Sequence, residues 1–494
     1  MTGRLTWPTA LWLATKGGRS DAVRIALTAV GSAAGTVALL GAATVMGIEP
    51  GDGPYTMRVL QEEGLHQGVV IALVLLCIPV LAFVGQCFRV GAPARDRRLA
   101  AIRLAGGSPA DVTRVACGEA GVAAGLGAAL GLIVYLAGRI VLGTPITGPY
   151  VRITRTTVDG GVTVTQEEGI GQVLRLPTDV LPPVWAIALL VVAVPLGAVV
   201  FTRLALRRVT ITPFGVSRHR RTRPPRLLPA VMFLAGVAAL ASFSSVARAL
   251  DVDTVGLAVP GLIVVTLLLL TSAGLVLGTA ALAAGIGGFL APRVRHPTLL
   301  IAARRLAADP FAGSRAFGAL LLTVLIGAGA QGLRVNILAS TDPSTTFYAD
   351  TLNLVDLVIV VAVVVASLGL LVIAAEGIVA RRRSLAALTA AGTPHGVLRR
   401  AVLAEALLPL LPTSVLAAAA GVFAARGLFG TTYVQREFST TGQLLGERIT
   451  AIPVPWTELV VLVAGTLLIT SLATSVSLLF LRGSTSPSEL RAAA

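Results

Sequence analysis

The chain has 494 residues, of which 55% are hydrophobic and 13% charged, with a formal net charge of +16. Soluble proteins carry about 25% charged residues, so these proportions exclude a water-soluble globular chain and indicate a polytopic membrane protein. The positive excess is almost all arginine, Lys16 being the single lysine, and in so apolar a chain it reads as topology signals on cytoplasmic loops, not as a nucleic-acid surface.

About 20 apolar residues are needed per membrane-crossing helix. On that basis spans are predicted near 22–48, 67–90, 118–143, 184–206, 227–250, 255–285, 317–335, 353–380, 402–428 and 456–481. The first apolar run is long enough to span and has no short signal-peptide core or cleavage site. Gly31-x-x-x-Gly35 and Gly127-x-x-x-Gly131 are read as sites of close helix approach. The loop 144–183 contains TTVDGGVTVT (Thr156–Thr165), a hairpin-like signal.

The segment Thr254–Pro292 has no charged residue and is long enough to hide a hairpin of two short helices. Parity argues against that. With ten spans, the loops 91–117, 207–226, 293–315 and 381–400 share one side and hold 22 arginines, while the opposite loops hold 6. An eleventh span would put Arg381–Arg383 opposite Arg95–Arg103. The positive-inside rule therefore favours ten spans with both termini cytoplasmic.

Reactive chemistry is sparse. Cys77, Cys87 and Cys117 lie within or beside apolar spans, and the four histidines have no metal-ligand spacing. No Walker A motif is possible around Lys16, which Gly17 follows. No Ser/His/Asp or HExxH arrangement for an intramembrane hydrolase is visible. The ionisable residues Arg24, Glu119, Glu376 and Glu405 fall near span ends, which counts against an ion-coupled secondary transporter, the rival reading. Glu119 and Glu405 are candidates for interfacial charge, either pairing with a neighbouring arginine or marking the membrane boundary.

One element occurs twice. Arg95–Ala120 (RDRRLAAIRLAGGSPADVTRVACGEA) and Arg381–Ala406 (RRRSLAALTAAGTPHGVLRRAVLAEA) align without a gap at an offset of 286 residues. Each reads as a short amphipathic helix ending at Gly106 or Gly392, where a positive φ suits glycine. Ser108-Pro109 and Thr393-Pro394 read as N-cap and first residue of the next helix, one residue out of register between the copies. Around each copy the order is a basic segment, two spans, the element, a third span, a polar loop ending in LPPVW (Leu181–Trp185) or IPVPW (Ile452–Trp456), and a fourth span. The expected domains are 1–218, a two-span connector 219–292, and 293–494. The expected fold is an all-α polytopic membrane protein of two parallel four-helix repeats.

Arg-x-x-x-Leu-Ala-x-Leu-x-Ala-x-Gly, followed by a helix with Ala-Glu-Ala, resembles the FtsX-like permease domain of ABC transporters, the group that includes macrolide exporters and bacitracin-type peptide-resistance permeases. The resemblance covers roughly 11–218 and 302–491, and Pro487–Arg491 is similar to the family's C-terminal signature. It implies that 95–107 and 381–392 are coupling helices seated on a homodimer of cytoplasmic ATPases, with Arg97, Arg98, Leu99, Ile102, Arg103, Arg383, Leu385 and Leu388 as contact candidates. It further implies a bacterial cell-membrane protein with no catalytic site or cofactor of its own, ATP and Mg being bound by the partner. The cargo would be a hydrophobic antibiotic, an amphipathic peptide or a lipid-like molecule already in the bilayer. ATP-driven signalling without cargo shares the same machinery. The chain departs from the family in lacking a large extracytoplasmic domain, since 49–66 and 336–352 are short. That weakens any role in docking an outer-membrane duct or in controlling a cell-wall hydrolase.

Overall fold

The computed structural model describes residues 19–49, 52–56, 60, 70, 73, 77, 80, 84, 104, 106–158, 161–207, 227–245, 258–340, 347–380, 382–438 and 444–478. Eight of its helices are long and apolar enough to cross a membrane, and its only sheets, among the described residues, are two antiparallel hairpins. The protein is an all-α, multi-pass membrane protein. The chain divides into Met1–Arg218 and His219–Ala494.

The first unit contains α1 (Arg19–Met46), α2 (Pro109–Leu142), the hairpin β1 (Ile146–Val158) and β2 (Gly161–Val173), and α3 (Val184–Arg207). Small residues let α1 and α2 touch backbone to backbone. A Cβ on Gly127 would stand 2.2 Å from the Ala29 carbonyl, and one on Gly131 would stand 2.6 Å from that of Ala33. Both indices rise together, so α1 and α2 run parallel. Residues between them lie back along α1 in reverse order. Cys77 faces the Ala38 carbonyl at 3.9 Å, and Val84 meets the Gly35 position at 3.0 Å. On its other side α2 meets α3 antiparallel, with Gly121 against Val199 and Arg139 against Val180 in the segment just before α3. Leu126, Leu130, Ile133 and Ile140 on α2, and Leu189, Val192 and Leu196 on α3, stay exposed, the apolar dress of a surface that meets lipid.

The β1–β2 register runs from Ile146↔Val173 to Val158↔Gly161, an antiparallel ribbon across the hairpin signal read in TTVDGGVTVT. The ribbon is much longer than that signal. Gly169 and Gly171 are poor strand residues, but the Tyr150 ring lies over both, within 3.1 and 2.9 Å of where their Cβ atoms would be, and covers the gap they leave.

The second unit comprises α4 (Leu228–Ala241), α5 (Ala258–Leu290), α6 (Pro297–Ala308), α7 (Phe311–Ser340), α8 (Phe347–Ala380), α9 (Arg382–Ala390), α10 (His395–Phe429), the hairpin β3 (Thr432–Phe438) and β4 (Leu444–Ala451), and α11 (Trp456–Ser477). The doubtful stretch 254–292 is settled by α5, a single helix of 33 residues. At 1.5 Å per residue it is about 50 Å long, against a hydrocarbon core of about 30 Å, so it tilts or extends into the interface rather than folding back. α4 packs antiparallel on it, Gly236 against Thr271 and Gly274 against Phe233. The described α4 helix is 14 residues, shorter than the span expected at 227–250. The connector 219–292 lies inside the second unit, where Gly318 of α7 meets Val276 of α5.

α7 and α10 repeat the backbone contact of α1 and α2. A Cβ on Gly421 would stand 2.3 Å from the Leu325 carbonyl, and one on Gly332 would stand 2.7 Å from the Ala425 side chain. These helices also run parallel. A hairpin follows α10 as one follows α2. β3–β4 had no clear sequence signal. Its register shifts at Glu437/Phe438, which breaks the alternation that marks a strand. Trp185 and Trp456 begin the helices after the two hairpins, each 70% exposed, as suits an interfacial ring.

Candidate functional site

The second copy of the repeated element is a complete helix–turn–helix. α9 ends in a glycine cap: Gly392 has φ 90°, its N–H donates to the Thr389 carbonyl at 2.9 Å, and the Thr393 N–H donates to the Leu388 carbonyl at 3.0 Å. This pair of bonds is the Schellman arrangement, and the left-handed residue it needs is cheap only as glycine. α10 then begins at His395 with Pro394 as its N-cap in extended conformation.

In the first copy Gly106 has φ 91° and Ser108 caps α2. The Ser108 Oγ accepts from the Asp111 N–H at 3.2 Å, and Asp111 Oδ2 accepts in return from the Ser108 N–H at 3.1 Å. That reciprocal pair is a capping box. Asp111 is buried and also pairs with Arg114 at 3.5 Å.

Thr393-Pro394 is not N-cap plus first residue. Pro394 is the N-cap, and at the offset of 286 it corresponds to Ser108. The two helices therefore start in register, and the apparent slip came from reading Thr-Pro as a cap pair. Pro394 offers no side-chain acceptor, so α10 lacks the capping box that α2 has.

Of the contact candidates, Arg97, Arg98, Leu99, Ile102 and Arg103 lie outside the described residues, as does the side chain of Arg383. Leu385 is 1% exposed. It packs with Ile378, Leu398 and Leu478, with Leu388, Val402 and Leu403 against the same cluster. The apolar face of α9 therefore seals onto α8, α10 and the end of α11, and Leu385 is not presented to a partner. Among the described side chains the exposed positions include Ser384, Ala387, Ala390, Ala391 and Gly392 on and after α9, Pro394, His395 and Gly396 at the turn, and Arg399 and Arg400 on the first turns of α10. A partner would meet a low surface of small residues, then the Pro394–His395 turn, beside two guanidiniums.

Glu405 takes the structural role open to it: its Oε2 accepts from Arg305 of α6 at 3.3 Å, both side chains 18% exposed. α6 is amphipathic, burying Thr298, Ala302, Ala303 and Leu306, with Ala303 and Ala307 against Gly287 of α5. Glu119 is buried on α2. Among the described residues no group of three or more His, Cys, Asp or Glu is placed to hold a metal.

The hairpin ends carry polar fastenings that sequence reading missed. In the first unit Arg139 donates to the Thr178 and Val180 carbonyls, and Tyr135 and Thr44 share a hydrogen bond of 2.6 Å. The Tyr55 hydroxyl donates to both Asp179 oxygens at 2.9 and 3.0 Å, and the Gly53 N–H donates to Asp179 as well. Burial, then the bond to Asp179 and the charges of Asp179 and Asp52, push the Tyr55 phenol well above its usual pKa. In the second unit Arg334 of α7 pairs with Asp356 of α8. The available signal was an arginine and an aspartate at the ends of otherwise apolar windows.

No family model, curated protein or solved structure matches the chain.

Proposed function

We propose that the chain is the permease subunit of an ABC transporter, moved by a separate cytoplasmic ATPase dimer. The observation that carries this reading is the repeated sequence element at an offset of 286 residues, a helix–turn–helix in its second copy, with a positive-φ glycine in both copies and a long helix starting in register after each. Such an element, rigidly continuous with a membrane-crossing helix, transmits force from a soluble partner into the bilayer. Two copies suit a two-fold partner. The ATPase would dock on Ala387, Ala390 and Ala391 beside Arg399 and Arg400, and on the corresponding first element.

Ten spans are supported by helix direction. α1 and α2 are parallel, as are α7 and α10, and two parallel membrane helices need a return crossing between them. α8 is that return in the second half. The reverse-order contacts of Cys77 and Val84 with α1 mark the return in the first. With α4 as the fifth span, the count is ten, arranged as four, two and four. The basic loops then share the cytoplasmic side of a bacterial cell membrane, and both hairpins lie outside. Short outer loops and apolar walls fit a cargo already in the membrane, such as a hydrophobic antibiotic, an amphipathic peptide or a lipid.

Affinity purification of the tagged chain from its native membrane tests the partner. The expected result is co-purification of a Walker-motif ATPase, lost when Ala387→Asp is introduced. A chain that purifies alone from undissociated membranes would overturn the proposal.

A further inference from the structure

The two units fasten their hairpin ends with different chemistry. In the first, Arg139 binds backbone carbonyls and Tyr55 binds Asp179, so the fastening ties the end of α2 and the segment after α1 to the segment before α3. In the second, the fastening joins two consecutive helices through charge. Arg334 donates to Asp356 Oδ2 and, at 3.2 Å, to Asn353 Oδ1. Gln331 Nε2 donates to Asp356 Oδ1 at 2.5 Å. Gln331 and Arg334 lie on α7; Asn353 and Asp356 lie on α8.

Three features set this cluster apart from a static brace. First, α7 is fixed on its other side. It meets α10 backbone to backbone at Gly421, and Asn336 Nδ2 donates to the Phe429 carbonyl at 3.3 Å. α8 has no such contact with α7: the nearest approach at a glycine is side chain to backbone, Ile359 at 3.1 Å from the Gly327 position. The inner end of α8 is held by Ile378 in the cluster under α9, so its outer end is the part that can separate from α7 without breaking a close glycine contact. Second, the ion pair is not sealed inside the protein, its side chains being 20% and 38% exposed, so it can part without opening the packed core. Third, Gln331 is only 7% exposed and its Oε1 accepts no hydrogen bond. The closed arrangement carries an unsatisfied buried acceptor that an opened one would satisfy. A cluster that is well paired on one side and unsatisfied on the other suits two states of similar free energy.

We propose that Gln331, Arg334, Asn353 and Asp356 form a latch that holds the outer ends of α7 and α8 together and releases during the transport cycle. The second half is then the one that opens outward, while the first stays fastened. The latch rests on the reading of the chain as a transporter, but its first test does not require the ATPase.

Leu352, one residue from Asn353 and 7% exposed, is replaced by cysteine in a full-length chain whose three native cysteines are changed to serine. The chain is reconstituted in phosphatidylglycerol–phosphatidylethanolamine vesicles and exposed to a membrane-impermeant maleimide. Labelling should be slow, and about tenfold or more faster in Arg334→Ala and Asp356→Asn, the factor expected when a charge-assisted bond is removed from an opening equilibrium. The exchange Arg334→Asp/Asp356→Arg should restore slow labelling. Equal rates in all variants overturn the latch. So does parallel acceleration at Val173→Cys, buried at the hairpin base of the first unit, because that would make the cluster a fold-wide brace. In a second arm, Mg-ATP is added to the co-purified complex. Faster labelling supports release by nucleotide; the first arm succeeding while this one fails keeps the latch and removes the ATPase as its driver.

Discussion

Replacing Leu385 with alanine separates packing from docking. The side chain is 1% exposed and is enclosed by Ile378, Leu398 and Leu478, groups drawn from α8, α10 and the residue after α11. Truncating a leucine so enclosed costs about 2–5 kcal/mol, the upper end applying where helices cannot collapse into the gap. At about 2–4 °C per kcal/mol, the factor for units of a few hundred residues, that lowers the melting temperature by roughly 4–20 °C. Ala387 sits two residues away on the opposite, exposed face of α9. An aspartate there should leave stability within about 0.5 kcal/mol and abolish ATPase co-purification. Differential scanning fluorimetry in detergent measures the first effect, and pull-down from native membranes measures the second. If Leu385→Ala melts with the wild type, the apolar cluster under α9 does not exist. If Ala387→Asp keeps its ATPase, α9 is not the docking element.

Gly127→Ala should force α1 and α2 apart, since its Cβ would lie 2.2 Å from the Ala29 carbonyl. A loss of about 1–3 kcal/mol is expected, against little change for Gly125→Ala, which meets nothing within 4 Å; thermal melting compares the two. Tyr55→Phe removes the donor to Asp179 and should cost about 1.5–3 kcal/mol at neutral pH, a hydrogen bond to a charged group. Because the folded-state phenol titrates above its usual 10.0, its contribution is complete below pH 10 and erodes as pH rises further. Melting between neutral and strongly alkaline pH should therefore show an alkaline fall in the wild type that Tyr55→Phe lacks.

How much of this was legible in the sequence depended on what decides each feature. Gly106 and Gly392 were readable because a left-handed helix end demands glycine locally. The parallel contact at Gly127 was readable as a GxxxG pattern, though not which helix would fill it. The amphipathic face of α9 was also visible, but periodicity says which residues share a face and not what covers it. Leu385 was assigned to a partner when α8, α10 and the residue after α11 cover it. Thr393-Pro394 misled because a cap-like dipeptide competes with the glycine turn one residue earlier, and the turn sets where α10 can start. Arg334 and Asp356 were passed over because each, taken alone, looks like a span boundary; only the pairing of α7 with α8 makes them one cluster. The second hairpin was hidden by its irregular register, and the length of the first by glycines that only the Tyr150 ring makes tolerable.

If the proposed function holds, a partner hydrolyses nucleotide and drives this chain, which does none of that chemistry. Nucleotide hydrolysis and stoichiometry, measured in one purified preparation reconstituted in lipid, decide it. ATP hydrolysis is expected from a complex of one permease with two ATPase subunits, and none from the permease stripped of them. Substrate movement by the stripped chain in ATP-free vesicles under a proton or sodium gradient would contradict it.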